Sequence, residues 1–513
     1  MRTKRTIINS TFNICSQIVQ LLLSFIIRNL FIKYIGIEYL GLNGLFSNIL
    51  SALNLADLGI GAAITYHLYK PLAINDTRQI NGLMRFYKKT YYSIGSVILI
   101  IGSILMFFVQ YLIKDQTHEI SFLRVIFLIQ LLGTASTYFL AYKRTLLFAD
   151  QKNYLAAIID TSVSIIMMVV RVVTLLIFKS YVIYLVMILV QNILANIIIT
   201  IICNRVYPYL KYKTEHSPID KRSIFKNLKN IVVERIVGYI YYSTDNIIIS
   251  KFVGLASVGL LSNYTLIVGT VQTFFVQITS AVQASLGNLV HSENDTEKVN
   301  DIFYKFNFFC FICSSFCVVS FLVLAEPFIE LWLGKNYMMP NYIILLLSIL
   351  FYTSTMRMPL GQMILAYGMF RQMKIISIIG ATVNLILSFV LVNYIGVAGT
   401  LFGTIICDLI YWFGQAYCVI VKKLNLPYKE YIFKITLFVA ITLIECIITI
   451  GISNLVISTG NIYSFIIKGG LCIIIPNGIN LLLFRKSSEM LYFKKILFAI
   501  FKKVFIKNIS NDN

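Results

Sequence analysis

Arg28, Arg171, Arg235 and Arg357 each lie in a run of apolar residues long enough to cross a membrane. An ionised side chain at the centre of a bilayer costs about 2.5–3.5 kcal/mol on insertion scales, so such charges face a partner or a wet passage. A guanidinium stays charged at cellular pH, and its planar fork holds phosphate or carboxylate oxygens in pairs. The chemistry these residues offer is the capture of an anion, and the four are candidates for a cationic cavity. Asp57, Asp245, Asp408 and Glu445 lie in comparable segments. They offer the complementary chemistry, uptake and release of H⁺ or Na⁺, and are candidate ion-coupling acids.

Arg28 and Arg357 are the strongest candidates for anion contact, being well inside their spans. Arg28 stands in "SFIIRNLFIKYIG", and Arg357 is followed by Pro359 and Gly361 in "MRMPLGQ". Proline removes a backbone donor and bends a helix, so a cation beside it suits a gate; a kinked packing site is the plainer reading. Arg171 follows Asp160 by eleven residues, about three helical turns, so the two share a polar interior or partner each other through neighbours. Asp57 precedes "LGIG", where glycines loosen the helix, and a packing role suits it as well as coupling. Arg124 and Lys468 fall near span ends, where long side chains snorkel. Gln17, Gln20, Asn43, Asn48, Gln130, Tyr241, Tyr242, Asn263, Gln272 and Gln277 also recur within spans. Individually they read as interhelical hydrogen bonds; together they can line a hydrated cavity.

The elements that must position these groups follow from composition. The chain has 513 residues, 58% hydrophobic and 13% charged, with a mean hydropathy of +0.80. A soluble domain is about 25% charged, so lipid is the solvent for most of this surface. Apolar runs of spanning length predict fourteen helical spans, near 10–34, 42–68, 90–113, 121–147, 154–178, 181–203, 229–250, 258–284, 303–325, 341–366, 374–394, 397–421, 431–455 and 463–484. With the N-terminus in the cytoplasm and the spans alternating, cytoplasmic segments collect 33 Lys and Arg residues, external loops five, and spans six. That bias supports an even number of spans with both termini cytoplasmic. It also explains the net charge of +22 as topology rather than nucleic-acid binding.

"KYIGIEYLGL" (Lys33–Leu42) matches "KFVGLASVGL" (Lys251–Leu260) at an offset of 218 residues, six spans later. An even offset gives two parallel six-helix lobes, a plan known among transporters. The expected organisation is an all-α polytopic membrane protein. It has an N-lobe over 1–215, a C-lobe over 216–425, two extra C-terminal helices over 426–485 and a basic amphipathic tail over 486–513, drawn to anionic lipid. At the repeat offset Arg28 corresponds to Asn246, beside Asp245, so the two lobes are not electrostatically equivalent there.

Other chemistry finds little support. Cys310, Cys313 and Cys317 sit in an apolar helix with no His nearby, which argues against zinc. There is no P-loop, and the four His residues have no evident catalytic partner. Glu326 and Glu330 fall in a short external connection and read as surface. The chain is not expected to be an enzyme: a membrane glycosyltransferase or polymerase needs larger external loops with catalytic carboxylates.

"LNLADLGIGAAITYHLYKPLA" (Leu53–Ala73), "AYKRTLLFADQKNY" (Ala141–Tyr154) and "STDNIIISKFVGLASVGLLSNYTLI" (Ser243–Ile267) resemble the bacterial polysaccharide flippases. These are Wzx-like members of the multidrug/oligosaccharidyl-lipid/polysaccharide exporter superfamily. The hydropathy resemblance covers most of the chain, and the motifs cover its first half best. The resemblance implies a MATE/MurJ-like fold and a cavity open to one side at a time. It also implies an undecaprenyl-diphosphate-linked oligosaccharide as cargo, carried across the bacterial cytoplasmic membrane for capsule or O-antigen-type synthesis. Membrane lipids, a polysaccharide polymerase and other assembly proteins are the implied partners; no nucleic acid and no cofactor beyond a coupling ion is expected. A cation-coupled drug antiporter and a lipid II flippase are alternatives on the same fold. Basic residues within the spans argue against the antiporter.

Overall fold

The computed structural model describes residues 2–57, 59–114, 120–211, 228–292, 296–455 and 461–495. A helix stands at every one of the expected spans. In chain order these are α1 (Arg2–Tyr34), α2 (Ile37–Leu53), α3 (Ile60–Ala73), α4 (Thr77–Leu105), α5 (Ile120–Leu140), α6 (Arg144–Ala149), α7 (Asn153–Phe178) and α8 (Tyr181–Val206). There follow α9 (Leu228–Phe252), α10 (Leu255–Ser292), α11 (Thr296–Trp332), α12 (Asn341–Tyr367), α13 (Phe370–Ile395), α14 (Val397–Ala416), α15 (Tyr428–Asn454) and α16 (Ile462–Leu483). Helices satisfy every backbone group internally, which hydrocarbon demands.

Among the described residues, eleven helices are long and apolar enough to cross a membrane. Of the other expected spans, 42–68 is divided between two shorter helices, and those at 90–113 and 229–250 fall on helices that are more polar. The first of these is broken into α2 and α3 by a 3₁₀ turn at Asn54–Asp57, and Gly59 caps α3 with a φ of 81°. The glycines after Asp57 therefore interrupt the helix rather than merely loosen it. Several helices run past the apolar runs that announced them. α4 begins at Thr77, capped by Asp76, whose carboxylate accepts from the Gln79 N–H at 3.0 Å. The polar stretch expected over 285–302 is helical to Ser292 and again from Thr296. Hydropathy marks only the part of a helix that sits in hydrocarbon.

The chain divides into two compact units. The first comprises Met1–Ser262 with Ser388–Thr400, and the second Asn263–Leu387 with Leu401–Asn513. The lobe boundary expected at 215/216 and most of the basic tail lie outside the described residues.

In the first unit α1 packs on α7, α5 on α8, α2 on α9, and α3 on α4 and α6. Buried Phe46 and Phe127 meet edge-on at 5.1 Å across α2 and α5. The sequence repeat is also a structural one. The Phe31 carbonyl accepts from the N–H groups of Ile35 and Gly36 at 2.8 and 3.3 Å; 218 residues later, Ile249 accepts from Val253 and Gly254 at 2.8 and 2.9 Å. Gly36 and Gly254 have φ of 110° and 134°, which only glycine adopts without strain. The two copies also press on each other. A Cβ on Gly41 would lie 1.9 Å from the Leu255 carbonyl oxygen, and one on Gly259 would lie 2.3 Å from that of Ile37. Ile37 corresponds to Leu255 and Gly41 to Gly259, so the contact is reciprocal, as in an isologous interface.

In the second unit α11 is the central helix, packed by α12, α15 and α16. Phe311 and Phe438 stack at 4.2 Å, and Phe308 and Phe484 close around them. Trp412 of α14 donates to the Tyr431 hydroxyl of α15 at 3.0 Å. The two C-terminal helices are thereby fastened to the rest of their unit. Cys310, Cys313 and Cys317 lie on α11 within or against this apolar core.

Candidate functional site

α2 carries Asn43, Ser47, Ser51 and then Asn54 at intervals of about one turn, so their side chains share a face. α5 does the same with Gln130, Thr134 and Thr137. The two polar faces, with Asn192 of α8, line a cavity of about 320 Å³ in the first unit. Among the described residues, none that lines it is ionisable. Gln130 Nε2 donates to Asn43 Oδ1 at 3.3 Å and lies 3.4 Å from the Tyr181 hydroxyl, while Tyr138 donates to Asn54 Oδ1 at 3.0 Å. This is a neutral lining of amides and hydroxyls, able both to donate and to accept. Asn43 and Gln130 stood among the expected cavity residues. Ser47, Ser51, Asn54, Thr134, Thr137 and Asn192 did not, although their turn-by-turn spacing is visible in the sequence.

Two of the other expected amides make packing hydrogen bonds. Asn48 donates to the Ser243 carbonyl at 2.9 Å, joining α2 to α9, and Gln272 donates to Ser354 at 2.9 Å in the second unit.

Arg28 and Arg171 of the first unit share Tyr184 of α8 as a neighbour. Arg28 Nη1 donates to Ser262 Oγ at 2.9 Å, and its guanidinium is close enough to Tyr184 to feel it electrostatically. Arg171 of α7 is buried. Its Nη2 donates to Gln191 Oε1 at 3.0 Å, its Nε to the Met167 carbonyl at 3.4 Å, and its guanidinium lies 5.8 Å from the Tyr184 ring. Among the described residues Arg171 forms no ion pair. Arg171 and Asp160 do not pair directly. Asp160 takes a bidentate pair from Arg144 at 2.6 and 2.9 Å, with Asn196 3.4 Å from the same guanidinium.

Arg235 is exposed and pairs with Asp57 at 3.1 Å, tying α9 to the turn between α2 and α3. That pairing supports the packing role for Asp57. The Glu234 side chain lies outside the described residues. Asp245 is half-buried on α9, and Asn246 beside it approaches Gly44 of α2.

In the second unit Arg357 Nη2 meets Asp408 Oδ1 at 2.8 Å, and Thr353 donates to Asp408 Oδ2 at 2.5 Å. Asp408 is wholly buried, and the Arg357 guanidinium lies 5.2 Å from the Tyr411 ring. Two residues assigned different roles thus form one neutralised pair. Pro359 is accommodated within α12, which continues to Tyr367. Glu445 of α15 is wholly buried and, among the described residues, forms no ion pair. Arg124 stacks on Phe107 at 5.0 Å. Glu330, expected at the surface, is largely buried and pairs with Lys335 at 3.5 Å, because α11 continues to Trp332.

Residues 7–286 match the polysaccharide biosynthesis protein family. No curated protein matches the chain. Among solved structures the chain is similar to the lipid II flippase MurJ in an inward closed conformation, at 17% identity, covering 93% of this chain and 99% of that one with a TM-score of 0.67. It is similar to an inward-facing multidrug resistance MATE family transporter of the MOP superfamily at 14% identity, over 79% and 96% of the two chains, with a TM-score of 0.63. A MOP superfamily transporter from Pyrococcus furiosus aligns at 15% identity over 81% and 95%, with a TM-score of 0.55. At such identities the likeness establishes the fold, a MurJ/MATE-like arrangement of membrane helices found in flippases and transporters. With more than half its length matched, the chain belongs to the polysaccharide biosynthesis protein family.

Proposed function

We propose that this protein flips an undecaprenyl-diphosphate-linked oligosaccharide from the inner to the outer leaflet of the bacterial cytoplasmic membrane by alternating access. Both termini would then face the cytoplasm, and capsule or O-antigen-type assembly would consume the cargo through a polymerase. The observation that carries this reading is that Arg28 and Arg171 share Tyr184 as a neighbour, with Arg171 buried and held, among the described residues, by neutral groups. A diphosphate linker is the ligand such forks fit. Sugar hydroxyls taken unpaired into hydrocarbon cost several kcal/mol each. The amide- and hydroxyl-lined cavity in the same unit is the kind of surface that avoids that cost.

An antiporter for cationic drugs is disfavoured because no carboxylate lines that cavity. With the cell interior negative, each phosphate charge moved outward gains about 2.3 kcal/mol per 100 mV. H⁺ or Na⁺ exchange at Asp57, Asp245, Asp408 or Glu445 is a further source of drive. The test is flipping of a lipid-linked oligosaccharide in sealed proteoliposomes. Arg171→Ala and Arg28→Ala should each lower the rate at least about tenfold, a change worth about 1.4 kcal/mol, with Lys variants intermediate. Full transport by both alanine variants would overturn the reading.

A further inference from the structure

The cavity of the first unit has a more particular chemistry than polarity alone. Its hydroxyl protons are partly spent on their own helices. Ser51 donates to the Ser47 carbonyl at 2.8 Å, Thr134 to that of Gln130 at 3.1 Å, and Thr137 to that of Thr134 at 2.7 Å. Their oxygens are left to accept. The amides are spent the other way. Asn43 and Asn54 each use Oδ1 to accept, from Gln130 and Tyr138, which leaves their Nδ2 groups to donate. Alongside these polar faces, Leu185, Ile188 and Leu189 of α8 supply an apolar wall.

This lining suits a sugar ring. Ring hydroxyls donate and accept, and they meet amide nitrogens and hydroxyl oxygens. The C–H faces of the ring meet the apolar side chains of α8. An ionised ring substituent finds no such match. A carboxylate taken out of water needs a cation, and an ammonium needs a carboxylate. Among the described residues the lining offers neither. Its volume of about 320 Å³ is at the lower end of ligand cavities, about 300–1,000 Å³, so it takes part of a long glycan rather than all of it.

The cavity also adjoins the guanidinium groups. Tyr184 and Gln191 both attend Arg171, and Tyr184 neighbours Arg28 as well. Seven residues apart, they lie on one face of α8. Leu185, Leu189 and Asn192 stand on the next face and line the cavity. A glycan joined to a diphosphate at the first face would begin close to the second.

We propose that this cavity is a subsite for uncharged sugars next to the diphosphate, and that it turns away glycans carrying a carboxylate or a free amine at that place. The neutral amides Asn43, Asn54 and Asn192 set the preference. The choice of a lipid-linked glycan as ligand rests on the flippase reading above.

The test uses the purified full-length protein in detergent and two undecaprenyl-diphosphate-linked disaccharides. One is built of glucose, and the other carries glucuronic acid in both positions. The rings differ only at C6, a hydroxymethyl group against a carboxylate. In titrations followed by melting temperature, the glucose form should bind at least about tenfold more tightly. Asn192→Arg places a cation in the lining and should abolish or reverse that preference. Ser47→Arg should do the same from α2, which keeps the test decisive if the first variant fails to fold. Equal affinity for the two forms, tighter binding of the glucuronate form or binding of neither would overturn the subsite. So would a preference that both arginine variants leave unchanged. Translocation of the glucose form in proteoliposomes without a membrane potential judges the flippase reading separately: binding with the expected preference but no translocation would overturn that reading and leave the subsite standing.

Discussion

The two compact units treat their arginines in opposite ways. In the first, Arg171 is buried and held by an amide, a carbonyl and the face of Tyr184. In the second, Arg357 is held by Asp408, itself wholly buried and tied to Thr353. Neutral acceptors orient a guanidinium without cancelling its charge, so an incoming phosphate still meets a full cation. A carboxylate partner cancels it, so an anion approaching Arg357 competes with Asp408. The lesson is that counting arginines within spans does not measure a cationic site; the partners decide which charges are available.

The contrast can be broken by mutation. Asp408→Ala leaves the Arg357 charge buried without its counterion and should cost about 3–5 kcal/mol, read as a large fall in melting temperature or in yield of folded protein. The double variant Arg357→Leu with Asp408→Leu removes both charges and should restore most of that loss. If the single and double variants are equally unstable, the pair is not what holds this part of α12 to α14. Arg171→Gln should cost less, about 1–3 kcal/mol, since it orphans only neutral acceptors. Its larger effect should appear in transport. A variant with unchanged flipping and a strongly lowered melting temperature would place Arg171 with Arg357 as a packing residue. Smallest of all, Asp160→Ala breaks a pair in which both partners are about a third exposed, and should change stability by no more than about 1 kcal/mol.

Much of the fold was legible. Lipid imposes a simple code, apolar runs of fixed length, and each such run became a helix. The repeat was legible because its glycines are irreplaceable: a positive φ at Gly36 and Gly254 and backbone contact at Gly41 and Gly259 leave no other residue type workable. Partnership across helices was not legible. Periodicity reports one helix at a time, so Asp160 and Arg171 looked like neighbours. The partner of Asp160 comes from α6, and that of Arg171 from α8. For the same reason Arg357 and Asp408 were given separate tasks. The neutral cavity was half visible: Asn43 and Gln130 are conspicuous in apolar spans, whereas serines and threonines turn so often to their own helix backbone that they carry little signal alone.

The reciprocal contact of Gly41 with Leu255 and of Gly259 with Ile37 has a consequence for biosynthesis. Each glycine's seat lies more than two hundred residues away along the chain, and the segment Ser388–Thr400 belongs to the same unit. The ribosome therefore delivers the opening spans long before their neighbours exist. They must wait in the bilayer with a seam unfilled, and the first unit, begun at the N-terminus, is complete only once Ser388–Thr400 has been made.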